Sequence, residues 1–221
     1  MRTRFTWTDV LVGLVWLFPL GYLAGIYAEL PDKVATHFDL HGQANDWSSR
    51  RELLIVVLVL SAFSLGAALL IRFLPRVDPK RKASSGSILG KISYAMVFLL
   101  SALMLLMIQS GLKGRMAVNG RLLNAFIALF MAFLGNQMNS LKPNYFVGIR
   151  TPWTLENDAV WKKTHQMAGK LWLGGGLLIA ILCLVLSDKA ALEIFLGGLL
   201  LLGLIPAVYS YLLYRQIQKQ S

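Results

Sequence analysis

Residues 53–73 read LLIVVLVLSAFSLGAALLIRF, and this stretch decides the fold. From Leu53 to Ile71 it carries no charge. A hydrocarbon core about 30 Å thick is crossed by about 20 residues rising about 1.5 Å each. Lipid offers no partner to an unpaired backbone N–H or C=O, so such a run must be helical. Working outward, five other runs share this character: Val10–Ala28, Ile92–Leu112, Leu122–Met138, Leu171–Ser187 and Ala190–Tyr214. The expected fold class is an all-α integral membrane protein with six transmembrane helices.

Composition agrees. The chain has 221 residues, 56% hydrophobic and only 15% charged, whereas a soluble domain is about one quarter charged. The net charge of +11 would suggest nucleic acid in a soluble domain. Here the cations lie in short segments between apolar runs, where they orient the chain in a bilayer. The lipid bilayer is the expected partner, and direct nucleic-acid binding is not expected. Cys183 is the one cysteine, so an intrachain disulfide is excluded.

Arg2 and Arg4 precede the first run as in a signal peptide, but the run is about 19 residues, against about 7–15 for a signal-peptide core. It reads as an uncleaved first helix. Placing both termini inside puts 15 lysines and arginines in inner segments against 7 in outer ones, which favours an N-in, C-in topology. Lys80-Arg81-Lys82 then suits anionic headgroups.

The spans hold almost no ionisable residue. Transporters and pumps place such groups at membrane depth, so these spans read as a scaffold. Gln109, Asn124, Asn136 and Gln137 suit helix–helix hydrogen bonds or interface anchoring. Gly21 and Gly25, Gly174-Gly175-Gly176 and Gly197-Gly198 suit close helix packing.

The distinctive chemistry lies in two loops. The first, 29–52, is expected outside as a cap. His37, Asp39 and His41 alternate, and in an extended segment all three point to one side, a possible metal-ligand set. Gly42 through Asp46 is turn chemistry, and Trp47 suits an interface. Asn45 and Asp46 complete the candidate outer site. The second loop, 139–170, is expected in the cytoplasm. Pro143, Gly148 and Pro152 break helix across its first half. Thr154 is a candidate cap for an interfacial helix running into the fifth span. Trp161 and His165 share a face at i, i+4, continued by Ala168 and Trp172, with Lys162 and Lys163 to the side. Arg150 suits either a binding site or a tie to carbonyls or Glu156. No nucleophile–base–orienter set emerges from spacing, so neither an enzyme nor a cofactor is expected.

Asn144-Tyr145-Phe146-Val147-Gly148-Ile149-Arg150-Thr151-Pro152-Trp153-Thr154-Leu155, then Val160-Trp161-Lys162-Lys163-Thr164-His165, resembles the signature of the SdpI immunity-protein family. Leu30-Pro31, His37-Phe38-Asp39, Gly42 and Asp46-Trp47 resemble the small membrane module of unknown function that often precedes it. The resemblance implies an N-terminal module at 1–75 and an SdpI-like domain at 76–221, in a bacterial cytoplasmic (inner) membrane protein. It implies immunity to a secreted peptide or protein toxin, or sensing of envelope stress, with a small repressor held at the membrane. The outer loop (His37, Asp39, His41, Asn45, Asp46, Trp47) would face the toxin. The inner loop (Asn144, Gly148, Arg150, Thr151, Pro152, Trp153, Trp161, His165) would face the cytoplasmic partner. A metal-dependent membrane enzyme using His37, Asp39 and His41, and a small-molecule transporter, are the competing readings.

Overall fold

The computed structural model describes residues 6–39, 41–77 and 86–219. In chain order the elements are α1 (Trp7–Ile26), β1 (Lys33–Phe38), β2 (Ala44–Ser49), α2 (Arg50–Val77), α3 (Gly86–Lys113), α4 (Gly120–Met138), α5 (Pro152–Glu156), α6 (Asp158–Val185) and α7 (Asp188–Gln218). Among the described residues, six helices are long and apolar enough to cross a membrane: all but α5. The integral membrane fold expected from the apolar runs is therefore present. Arg2, Arg4 and the Lys80-Arg81-Lys82 cluster lie outside the described residues.

Helix starts have local causes. Thr6 and Asp9 form a capping box ahead of α1, satisfying donors that the first turn would otherwise leave orphaned. Ser49 and Glu52 do the same for α2: the Ser49 N–H donates to Glu52 Oε2 at 2.9 Å, and the Glu52 N–H to Ser49 Oγ at 3.2 Å. Asn157 caps α6, its Oδ1 accepting from the N–H groups of Ala159 and Val160. The cap expected at Thr154 is thus corrected. Pro152 opens a separate one-turn helix at Thr151, and α6 runs unbroken from the loop into the span.

The chain divides into two compact units. The first comprises 1–70 and 93–120. Its core gathers Leu23, Leu30, Val34, Leu53, Val57, Met104 and Ile108. Hydrogen bonds tie its helices: Trp16 Nε1 donates to the Ser61 carbonyl at 3.0 Å, and Tyr94 donates to Asp9 at 2.7 Å. Gln109, one of the polar residues expected to bond between helices, donates to the Tyr22 hydroxyl.

The second unit comprises 71–92 and 121–221. One cluster joins Ala125, Ala128, Ile179, Ala180, Cys183, Ala191, Phe195 and Leu202. Another joins Leu89, Ile92, Met138, Leu141 and Ala168. Here glycine permits close approach: a Cβ on Gly176 would stand 2.7 Å from the Ala128 carbonyl oxygen, and one on Gly135 2.7 Å from Trp172 Cβ. Gly21 and Gly25, by contrast, face open space, so the expectation of tight packing there is not met. Arg121 clamps the α6–α7 turn, with Nε 3.0 Å from Asp188 Oδ1 and Nη1 donating to the Leu186 carbonyl.

Candidate functional site

The first unit carries a β-hairpin where the sequence announced only a loop. β1 and β2 pair antiparallel, with Lys33 opposite Ser49, Val34 opposite Ser48 and His37 opposite Asp46, and with register irregularities around His37. Val34 and Ala35 are buried. Val34 packs beside Gly111 of α3, where a Cβ would meet it at 3.4 Å. The turn is shaped by Asp39 Oδ1, which accepts from the N–H groups of His41 and Gln43, both at 2.9 Å. Gly42 follows at φ 74, a conformation that favours glycine.

This turn breaks the H-x-D-x-H alternation. His37 lies in β1 while Asp39 and His41 lie in the turn, so the three do not share the side of one strand. Among the described residues no group of three or more His, Cys, Asp or Glu is gathered as a metal site. His37 instead stands across from Asp46, Nδ1 to Oδ2 at 3.5 Å. Asp46 also accepts from the Trp47 N–H at 2.8 Å. Asn45 is exposed, and Trp47 is half-exposed beside Gly114.

The second unit holds the more built site, an elbow between α4 and α6. Asn144 organises its first half. Its Oδ1 accepts from the N–H groups of Phe146 and Val147 at 2.9 and 2.7 Å. Its Nδ2 donates to the carbonyls of Lys142 and Val147 at 2.9 and 3.0 Å. The whole hydrogen-bonding capacity of the amide is thereby used.

His165 holds the second half. Nε2 accepts from the Ile149 N–H at 3.1 Å, while Nδ1 lies 2.9 Å from the Trp161 carbonyl. A ring that accepts at Nε2 and donates at Nδ1 is the neutral Nδ1–H tautomer. Its plane stacks on Trp161, centroids 4.0 Å apart and 18° between planes. Trp161 Nε1 in turn donates to the Leu141 carbonyl at 2.9 Å. Gly148, at φ 116, passes so close that a Cβ there would collide with His165 Nε2.

Thr154, read from sequence as a cap, is a fully buried hub. Its hydroxyl accepts from the Thr151 N–H at 3.0 Å and lies 2.8 Å from the Ile149 carbonyl. Trp153 donates to Ser210 of α7 and packs on Tyr211, centroids 5.2 Å apart. Thr151 and Ser210 hydroxyls lie 3.3 Å apart. Sequence reasoning missed Ser210, because no local pattern reveals a partner about sixty positions downstream. Arg150 is exposed and donates to the Tyr145 carbonyl at 2.9 Å. It is therefore tied to a carbonyl, while Glu156 accepts from Tyr214. Pro152, Tyr145 and Phe146 are also exposed. Of the eight inner-loop candidates, the structure gathers Asn144, Gly148, Thr151, Trp153, Trp161 and His165 into the fabric of the elbow. Arg150 and Pro152 remain on its surface.

Comparison with known proteins adds the relationship. Residues 140–210, which contain the elbow, α5, α6 and most of α7, match the SdpI/YfhL protein family. Residues 14–61, which contain the hairpin, match a domain of unknown function, DUF1648. The chain is 27% identical over 204 residues to Immunity protein SdpI of Bacillus subtilis (strain 168), covering 90% of this chain and 92% of that protein. No solved structure matches. With a match to the SdpI/YfhL family at 140–210 behind a match to DUF1648 at 14–61, this chain is similar to Immunity protein SdpI over most of its length and is a multi-pass protein of the bacterial cytoplasmic membrane.

Proposed function

We propose that this protein confers immunity to a secreted peptide or protein toxin. The observation that carries the reading is the near end-to-end match to Immunity protein SdpI, which includes both the hairpin and the elbow. Function does not follow from fold alone, so the proposal rests on both site-bearing modules matching together. In this reading the modules 1–75 and 76–221 are functional halves, the termini are inside, and the loops after the first and fourth spans emerge on opposite sides. The hairpin, with His37, Asp39, His41, Asn45, Asp46 and Trp47, meets the toxin. The elbow presents Arg150 and Pro152 to a small cytoplasmic repressor, on a surface held in shape by Asn144, Gly148, Thr151, Trp153, Trp161 and His165.

The decisive experiment is expression of the chain in a toxin-sensitive strain that lacks its own immunity protein. Survival under challenge by a toxin-producing neighbour is the expected result. Unchanged killing, with the protein present in the membrane at normal abundance, overturns the proposal. Loss of survival on combining His37→Ala, Asp46→Ala and Trp47→Ala would place recognition on the hairpin. Full survival of that variant would remove the hairpin from the toxin site.

A further inference from the structure

The lipid-facing surface of the second unit changes character at the end of α6 and α7 that holds the elbow. On α6 the exposed residues Leu173, Leu177, Ile181 and Leu184 form one apolar stripe. At 3.6 residues per turn, Lys162, Lys163 and Lys170 fall within the same sector, about 100° wide, and all three are exposed. On α7 the exposed stripe Leu201, Leu204, Val208 and Leu212 leads in the same way to exposed Arg215 and Lys219. The Arg215 guanidinium stands 5.9 Å from the centre of the Tyr211 ring.

The two helices are antiparallel neighbours: Cys183 approaches Ala191, Trp172 donates to the Leu202 carbonyl, and the elbow's Trp153 reaches Ser210. The five cations therefore belong to one end of the pair. Depth follows from length. About 20 residues cross the hydrocarbon, and counting back from Val185 reaches Gln166. Lys170 then lies just inside the boundary, where a lysine stem snorkels outward. Lys162 and Lys163 lie about 5 Å beyond it, at headgroup depth. Among the described residues of this unit, two carboxylates stand at this end: Glu156, which accepts from Tyr214, and Asp158, the first residue of α6. The α7 acids Asp188 and Glu193 are at the opposite end.

We propose that Lys162, Lys163, Lys170, Arg215 and Lys219 form a lipid-facing basic girdle that binds the headgroups of anionic phospholipids. An exposed cation directly below an apolar stripe meets the phosphate of the lipid whose tails cover that stripe. A soluble acidic partner would approach from the elbow's water side, where Arg150 lies. The inference does not depend on the immunity reading.

The test uses the full chain in bilayers of phosphatidylcholine with spin-labelled phosphatidylglycerol or spin-labelled phosphatidylcholine as probe. The expected result is preferential immobilisation of phosphatidylglycerol beside the protein, weakened by salt. Each cation removed should lower that preference by up to about fivefold. The combined variant Lys162→Gln, Lys163→Gln, Lys170→Gln, Arg215→Gln and Lys219→Gln should show none, while Lys→Arg at the four lysines keeps it. An unchanged preference in the glutamine variant overturns the proposal. So does equal binding of inorganic phosphate by detergent-solubilised protein, which would indicate a soluble-anion pocket. If the five-fold variant is poorly folded, the α6 triple and the α7 double variants carry the same comparison separately, and a preference unchanged in both is equally fatal.

Discussion

Gly148 and His165 show how little freedom single residues have in the elbow. At φ 116 with His165 Nε2 against its Cα, Gly148 admits no side chain. Gly148→Ala should cost about 2 kcal/mol from backbone strain and more from the displaced imidazole, read as a lowered thermal midpoint of purified protein. Asn144→Ala strands the N–H groups of Phe146 and Val147, and each buried donor left unpaired costs about 1–3 kcal/mol. Asn144→Asp retains the accepting oxygen but sets its second oxygen against the Lys142 and Val147 carbonyls, so it should not restore wild-type stability in the same measurement. Arg150 is the contrast. It is exposed with a single carbonyl bond, so Arg150→Ala should leave stability within about 0.5 kcal/mol. A loss of binding to the proposed cytoplasmic partner at unchanged stability would then mark it as a partner contact. Part of this was readable beforehand. Gly148 declares itself as a helix breaker, and Trp161 and His165 declare a shared face by their spacing, whereas Pro152 opens the one-turn α5 instead of breaking helix. Thr154 misled because Ser and Thr bond locally in several geometries. In the structure its hydroxyl completes, as third residue, the capping box that Thr151 opens for the one-turn α5, and bonds the Ile149 carbonyl, while Asn157 caps the long helix.

At the scale of elements, glycine position separates packing from open space. A Cβ at Gly176 meets the Ala128 carbonyl and the Ala132 nitrogen, both backbone atoms that cannot rotate aside. Gly176→Val should therefore push α4 and α6 apart and remove most folded protein from the membrane, measured as abundance and as unfolding in mild detergent. Gly21→Ala and Gly25→Ala face nothing within 4 Å. They should be silent or stabilising by about 0.5–1 kcal/mol, since alanine favours helix. The G-x-x-x-G spacing of α1 suggested the reverse, because a spacing motif records that small residues share a face and not what lies opposite. The six long helices were legible because lipid imposes length and apolarity on each. The hairpin was not, since its strands are short, its outer positions polar and its alternation interrupted near His37. Burial of Val34 and Ala35 side by side also defeats the period-of-two pattern that would announce a strand.

For the whole molecule, topology is the property most open to direct measurement. In a Cys183→Ser background, Asn45→Cys should react with a membrane-impermeant maleimide added to intact cells, and Lys163→Cys only after lysis. Equal reaction of both before lysis would overturn the N-in, C-in arrangement. The cation bias along the chain is what predicts this orientation, whereas nothing in the sequence links the elbow to the last helix. That link, Trp153 to Ser210, joins positions 57 residues apart, and it has a consequence for biosynthesis. Translation proceeds at about 5–20 residues per second, so Trp153 waits seconds for its acceptor while α6 and α7 are still being inserted. The elbow is thus completed late, only once the ribosome has delivered α7 as far as Ser210. A nascent product stopped before Ser210 keeps it ajar, and pulse-labelling should show such products cleared by membrane proteases faster than chains stopped just after Gln218.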